Sequence, residues 1–155
     1  MQPDNKFRAR HQDARLTEPL SQLTRAQRHL FVADCADHVL PLFQWAYPDD
    51  MRPAQAIEVR RRLARGEVSA REWRVAQYTV GDIELDEDER EGSIAGCVIT
   101  HDDAATAADI AVYAVYESTS GADEAARRRA ATEEKTWQMA RLLRYLSGDQ
   151  PEPRK

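Results

Sequence analysis

The sequence predicts an all-α protein, a single-domain bundle of five to six helices. Alanine and arginine are abundant, whereas glycine occurs only 6 times in 155 residues, and this composition favours helix over strand. The capping-box pattern of a helix start, in which serine or threonine precedes glutamine or glutamate by three residues, occurs at Thr24 and again at Ser69. A chain of this length suits one domain that buries about two-thirds of its unfolded surface.

The first long helix is expected over residues 25–46. It follows the capping box formed by Thr24 and Gln27, and apolar side chains recur along it with helical spacing. The residues on one face are Phe31, Cys35, His38, Leu42 and Trp45. Other apolar residues extend this face most of the way around the helix. A helix of this kind is typically central to its bundle.

Four more helices are expected, over residues 53–65, 69–80, 103–117 and 123–146. Pro53 suits the first turn of the earliest of these, and Gly66 ends it. The second capping box, from Ser69 to Glu72, opens the next one. Asp102 or Asp103 can cap the alanine-rich helix that follows. The predicted organisation is a loosely ordered N-terminal arm, a helical domain and a C-terminal tail, over residues 1–22, 23–148 and 149–155.

An acidic block interrupts the helical pattern at residues 81–92. It contains seven acidic residues and one arginine, a net charge of −6, whereas the whole chain carries −5. We expect a solvated loop here. Because the negative charge is local, a general nucleic-acid-binding surface is not expected. The block is either a solvated excursion without a function or an electrostatic guide for a basic protein partner, in which case the contacting residues would be Asp86, Glu87, Asp88 and Glu89.

Asp34 and His38 stand one helical turn apart on the first long helix, so their side chains can touch. On the next helix Arg60 falls in the middle of the apolar arc, and a buried cation needs a counter-charge. We therefore expect Asp34 to be buried and to pair with Arg60 or His38. The alternative for Arg60 is a ligand carboxylate or phosphate.

The turn before residue 53 carries another predicted ion pair. Arg52 follows Asp49 and Asp50 closely enough for either carboxylate to bind its guanidinium and fix the turn. We interpret the two groups together as a structural polar core made of Asp34, His38, Asp49, Asp50, Arg52 and Arg60.

Trp137 lies opposite the apolar stripe of the last helix, which contains Met139, Leu142, Leu143 and Leu146. Two interpretations remain open. Either this helix is buried on two faces, or Trp137 is exposed and anchors a partner, as tryptophan often does at protein interfaces.

Several classes of function lack support in the sequence. No nucleophile motif occurs, and no second ligand stands at metal spacing beside His38 on its helix. The run His101-Asp102-Asp103 resembles part of a phosphohydrolase metal site, but the matching upstream histidines are missing, so capping and surface roles are expected there. No catalytic residue, metal or cofactor is therefore predicted. No apolar stretch approaches the ~20 residues that span a membrane, and the N-terminal residues lack the apolar core of a signal peptide. Cys35 and Cys97 lie inside apolar runs, which is typical of free thiols in a reducing cytoplasm. We expect a cytoplasmic protein.

Several motifs resemble those of a known family, the immunity proteins encoded beside bacterial polymorphic toxins. The matching segments are Ala33-Asp34-Cys35-Ala36, Val39 to Phe43, Pro48-Asp49-Asp50-Met51-Arg52-Pro53, Ala64-Arg65-Gly66-Glu67-Val68-Ser69, Thr100-His101, and Trp137-Gln138-Met139-Ala140-Arg141-Leu142. The resemblance covers about residues 24–146. The chain departs from the family pattern at residues 81–92, where continued alanine-rich helix is expected.

The resemblance implies an all-helical, non-enzymatic protein of the bacterial cytoplasm that binds and neutralises a cognate toxin. Two alternatives stay open. The same fold could serve as an accessory scaffold in another bacterial assembly or pathway, or it could bind a small molecule in a polar pocket between helices that contains Asp34, His38 and Arg60.

Overall fold

The computed structural model describes residues 14–86, 98, 103–119 and 123–148, and within them it is all-α. A 3₁₀ turn at Ala14–Leu16 leads into six α-helices. They are α1 (Thr17–Ser21), α2 (Arg25–Ala46), α3 (Arg52–Ala64), α4 (Ala70–Asp86), α5 (Ala104–Ser118) and α6 (Glu124–Leu146). The predicted fold class is confirmed. In the described residues no helix is long and apolar enough to cross a membrane.

The helix starts follow from local hydrogen bonding. The Thr24 side chain accepts from the backbone N–H of Gln27, and the Gln27 side chain accepts from the N–H of Thr24, so the predicted capping box is formed. Asp103 and Asp123 cap α5 and α6 by accepting backbone N–H bonds in the same manner. After α3 the chain turns at Gly66, whose φ of 73° is a conformation that favours glycine.

The helix α2 is the centre of the bundle. It packs against α3 and α5 and also contacts α6, while α4 packs on the outer side of α3 and α6 packs on α5. Nine of its residues are buried, namely Phe31, Val32, Ala33, Asp34, Cys35, Ala36, Val39, Leu40 and Phe43. The nearly all-round apolar pattern of this helix is explained by its having neighbours on several sides.

Two segments differ from the sequence-based expectation. Within the expected N-terminal arm, residues 17–21 form α1, and Leu16 and Leu20 are buried with 4% and 6% exposure. Apolar burial therefore attaches this part of the chain to the bundle, while residues 1–13 lie outside the described residues. At the other segment, the helix predicted to end at residue 80 continues through Gly81 to Asp86. The expected loop thus begins as helix, and its residues 87–92 are not among those described.

Trp45 also departs from expectation. The helical periodicity predicts Trp45 on the apolar face of α2, yet it is 83% exposed. At this end of α2 the buried face runs through Val39 and Phe43, which are one turn apart. Trp45 lies about 200° around the helix from Phe43, since each residue advances about 100°. It therefore points away from the core.

Candidate functional site

Polar side chains form a layer where α2 packs against α3 and α6. We call it the polar layer, and its members are Asp34, Asp37, His38, Arg61, Glu134, Trp137, Gln138, Arg141 and Tyr145. It contains two of the residues predicted for the polar core, Asp34 and His38.

Asp34 is the centre of this layer and is only 5% exposed, so the expectation of burial holds. Its Oδ1 accepts from Nη2 of Arg61 at 3.3 Å, and its Oδ2 accepts from Nε of Arg141 at 2.9 Å. The hydroxyl of Tyr145 also donates to Oδ2. One buried carboxylate is thus compensated by two cations and a hydroxyl, which offsets the desolvation of its charge.

These partners differ from the predicted ones, Arg60 and His38. Consecutive residues leave a helix about 100° apart, so Arg60 and Arg61 point in different directions from α3. Arg61 faces α2 and reaches Asp34, whereas Arg60 faces α4, where its guanidinium carbon lies 5.0 Å from the ring centroid of Trp73. Arg60 is buried as expected, with 1% exposure. The sequence contained no signal that selects Arg61 over its neighbour.

His38 has its own partners on α6. Its Nδ1 lies 2.7 Å from Oε2 of Glu134, and its ring stacks on Trp137 with centroids 3.8 Å apart and an angle of 3° between the planes. The guanidinium carbon of Arg141 lies 5.9 Å from the ring centroid of Trp137, which connects this cluster to the contacts of Asp34. Trp137 is half-buried, which is intermediate between the two interpretations of the sequence.

Glu134 and Gln138 connect the layer to α5. Gln138 is fully buried, and its Nε2 donates to the carbonyl of Ala108 at 2.8 Å and to Oε1 of Glu134 at 3.3 Å. The buried Glu134 carboxylate is therefore shared between His38 and Gln138. Both residues were absent from the predicted site, although their separation of four residues puts them on one face of α6.

Burial shifts the acid–base behaviour of two side chains here. The pKa of Tyr145 is raised above its usual range, chiefly by burial and then by the negative charge of Asp34 and the hydrogen bond donated to it. The pKa of the Cys35 thiol is also raised, chiefly by burial and then by the charges of Glu134 and Asp34. Both groups are thus held in their neutral, protonated forms and are poor nucleophiles at neutral pH.

The arrangement in the polar layer is that of a structural ion network. Its carboxylates at Asp34 and Glu134 contact cationic or hydrogen-bonding side chains of the same chain. Among the residues that the structure describes, no group of three or more His, Cys, Asp or Glu side chains could hold a metal ion.

The second predicted group lies in the turn before α3. Asp50, one of the two expected partners of Arg52, binds its guanidinium through Nε at 2.9 Å and through Nη2 at 2.6 Å, and it also accepts from the backbone N–H at 3.0 Å. These contacts with Arg52 lower the pKa of Asp50. Asp49 is exposed. The Asp50–Arg52 pair thus fixes the entry into α3.

The exposed apolar residues of α4 were not predicted from the sequence. Val75 is 57% exposed and Tyr78 is 76% exposed, and both lie on the outer helix of the bundle. Their spacing of three residues, followed by the exposed Asp82, gives one continuous stripe. We call Val75, Tyr78 and Asp82 the α4 stripe. Of the residues proposed for partner binding, Asp86 ends α4, while Glu87, Asp88 and Glu89 lie outside the described residues.

The fold and the polar layer define an all-α bundle whose central helix is joined to two neighbours by a buried ion network. A family model described as Imm-5 like putative immunity protein matches residues 18–145. Since this match covers most of the chain, the protein belongs to that family of immunity proteins. No curated protein and no solved structure matches the chain.

Proposed function

We propose that this chain is a non-enzymatic immunity protein that binds and neutralises a cognate toxin in the bacterial cytoplasm. The observation that carries the proposal is its membership of an immunity protein family over residues 18–145. The buried carboxylates of the polar layer, Asp34 and Glu134, already contact side chains of the same chain, and this supports binding over turnover. A toxin is thus the expected protein partner.

We further propose that the toxin contacts the α4 stripe. Large exposed apolar side chains are typical of binding surfaces when they are adjacent, and tyrosine is enriched among the residues that dominate binding energy. The stripe runs from Val75 through Tyr78 to Asp82, and Asp82 is the first acidic residue of the block that continues in the sequence to residue 91. A toxin surface with an apolar patch bordered by basic groups complements this combination.

The acidic residues Asp86, Glu87, Asp88 and Glu89 are proposed to accelerate association with this basic surface. Electrostatic attraction raises association rates at low ionic strength and weakens when salt screens it, since the Debye length is about 8 Å at physiological ionic strength. Trp137, which is half-buried and stacks on His38, is proposed as a second contact.

The first experiment identifies the toxin by affinity capture from the native host and then tests its neutralisation by co-expression. Protection should require at least one immunity protein per toxin molecule. Protection at clearly substoichiometric amounts would mean turnover and would overturn the non-enzymatic proposal. If the captured protein is not toxic alone, the chain is a scaffold in another assembly.

The second experiment compares Tyr78→Ala with Leu143→Ala as a matched control. Leu143 is also apolar and 53% exposed, but it lies on α6. Tyr78→Ala should weaken toxin binding by about thirtyfold, the value for loss of a dominant contact, while Leu143→Ala should have little effect. Equal affinities for both variants would contradict a contact at the α4 stripe.

A third experiment neutralises residues 86–89 together. At low salt this variant should associate with the toxin more slowly than the natural chain does.

A further inference from the structure

The outer face of α4 carries four exposed side chains in an order that is complementary to itself. They are Arg71, Val75, Tyr78 and Asp82, and the last three form the α4 stripe. Their spacings of four, three and four residues are those of the contact positions in helices that pack side by side. We call these four residues the α4 seam. It extends over about three turns, or about 17 Å.

Opposite charges lie at the two ends of this seam. Arg71 and Asp82 stand at equal distances from its middle, and so do Val75 and Tyr78. When a second α4 seam lies antiparallel against the first, with a twofold axis through the middle, Arg71 faces Asp82 of the partner subunit and Val75 faces the partner's Tyr78. A parallel arrangement would place each charge against the same charge. The order of the charges therefore favours an antiparallel pair.

A groove beside the seam can accept the aromatic ring of such a second copy. Its volume is about 390 Å³, and it runs between α3 and α4. Ala56 and Val59 of α3 form its apolar side, and Arg71 and Val75 of the seam line its α4 side. In the antiparallel arrangement the partner's Tyr78 lies against Val75, at the opening of this groove. A tyrosine there buries a large apolar surface while its hydroxyl stays in contact with water.

From these features we propose that the α4 seam binds a second copy of this chain in an antiparallel, twofold-symmetric homodimer. Opposite charges pair at both ends and apolar side chains pair in the middle, so each copy supplies both halves of every contact. Because one helix per copy makes a small interface, below the roughly 1,200 Å² of total buried surface of stable complexes, the dimer is weak and depends on concentration. A toxin at the α4 stripe would displace the second copy. That consequence rests on the proposed function, whereas the dimer itself does not.

Sedimentation equilibrium of the purified full chain, without toxin, tests the dimer. The average mass should rise from that of one chain toward that of two, with a Kd of roughly 10–100 μM. Tyr78→Ala should weaken dimerisation at least about tenfold, because twofold symmetry removes both rings at once. Leu143→Ala is the matched control on α6 and should leave the Kd unchanged. A chain that stays monomeric up to about 1 mM would overturn the proposal, and so would equal Kd values for the two variants.

Reversal of the charges tests the orientation of the two helices. Arg71→Asp places like charges opposite each other at both ends and should weaken dimerisation at least about tenfold at low salt. The double variant R71D/D82R exchanges the two charges and should restore the Kd of the natural chain to within about threefold. The control R129D makes the same change in net charge at an exposed position of α6 and should have little effect.

Failure of the double variant to recover dimerisation, or an equal effect of R129D, would overturn the antiparallel pairing. Every measurement uses the purified chain alone. A monomeric result therefore overturns the dimer, while the contact between toxin and α4 stripe is decided separately by the affinity of the toxin for Tyr78→Ala.

Discussion

Tyr145 donates its hydroxyl hydrogen bond to Asp34 across 111 residues of sequence. Arg141, one turn earlier on α6, binds the same carboxylate oxygen. The last helix is thereby attached to the central helix by two contacts to one buried acid, and Arg61 attaches α3 to it as well. The polar layer therefore fixes the relative position of three helices that apolar packing alone would leave less specifically aligned.

Replacing Asp34 by alanine should destabilise the protein by about 3–5 kcal/mol, since it leaves Arg61 and Arg141 without their shared counter-charge in a buried setting. Urea unfolding followed by circular dichroism measures the change. Asp37→Ala is the control, because Asp37 is more exposed and lies 3.6 Å from Arg61. The Asp37→Ala substitution should lower the free energy of unfolding by at most about 1 kcal/mol. Equal losses for the two variants would contradict the central role of Asp34.

Alkaline pH should destabilise the protein partly through Tyr145. Its pKa is raised above the ordinary 10.0 in the folded state, so the folded protein retains a proton that the unfolded chain releases. The contribution of Tyr145 to the free energy of unfolding is constant below about pH 10. Above that pH it falls, by at most about 1.4 kcal/mol per pH unit. Urea unfolding between pH 9 and 11.5 should show a shallower decline for Tyr145→Phe than for the natural chain. Identical slopes would contradict the raised pKa.

Cys35 should resist thiol reagents in the folded protein. It is completely buried and its pKa is raised, so little thiolate is present and access requires opening of the structure. In a Cys97→Ser background, labelling by a disulfide reagent should be at least about a hundredfold slower under native conditions than in denaturant. Rapid labelling under native conditions would mean that α2 is not buried as described.

The stacking of His38 on Trp137 should be measurable as a coupling energy. A double-mutant cycle with His38→Ala and Trp137→Ala is expected to give about 0.5–1.5 kcal/mol, the range for stacked ring pairs. Loss of the contact between His38 and Glu134 occurs on both sides of the cycle and cancels to first order. Additive effects would show that the parallel rings contribute no stability beyond their separate burial.

Helix positions were largely predictable because their signals are local. The cap at Thr24 and the stop at Gly66 act within a few residues, and the helices that they bound agree with prediction to within one residue. The end of α4 was not predicted correctly, because Gly81 and Asp82 are weak helix formers but do not forbid a helix. Burial of Leu16 and Leu20 depends on distant neighbours and carries no local signal.

The sequence by itself determined the fold class, the capped helix starts and the family resemblance, since composition, caps and motifs are read within a few residues. It also determined that Asp34 and Arg60 are buried, because each falls within an apolar arc. Only the tertiary structure decided that Asp34 binds Arg61, Arg141 and Tyr145, that His38 stacks on Trp137, and that Tyr78 faces solvent. The reason is physical: periodicity gives the face of a helix on which a residue lies, whereas the partner depends on the rotation and offset of helices far apart in sequence.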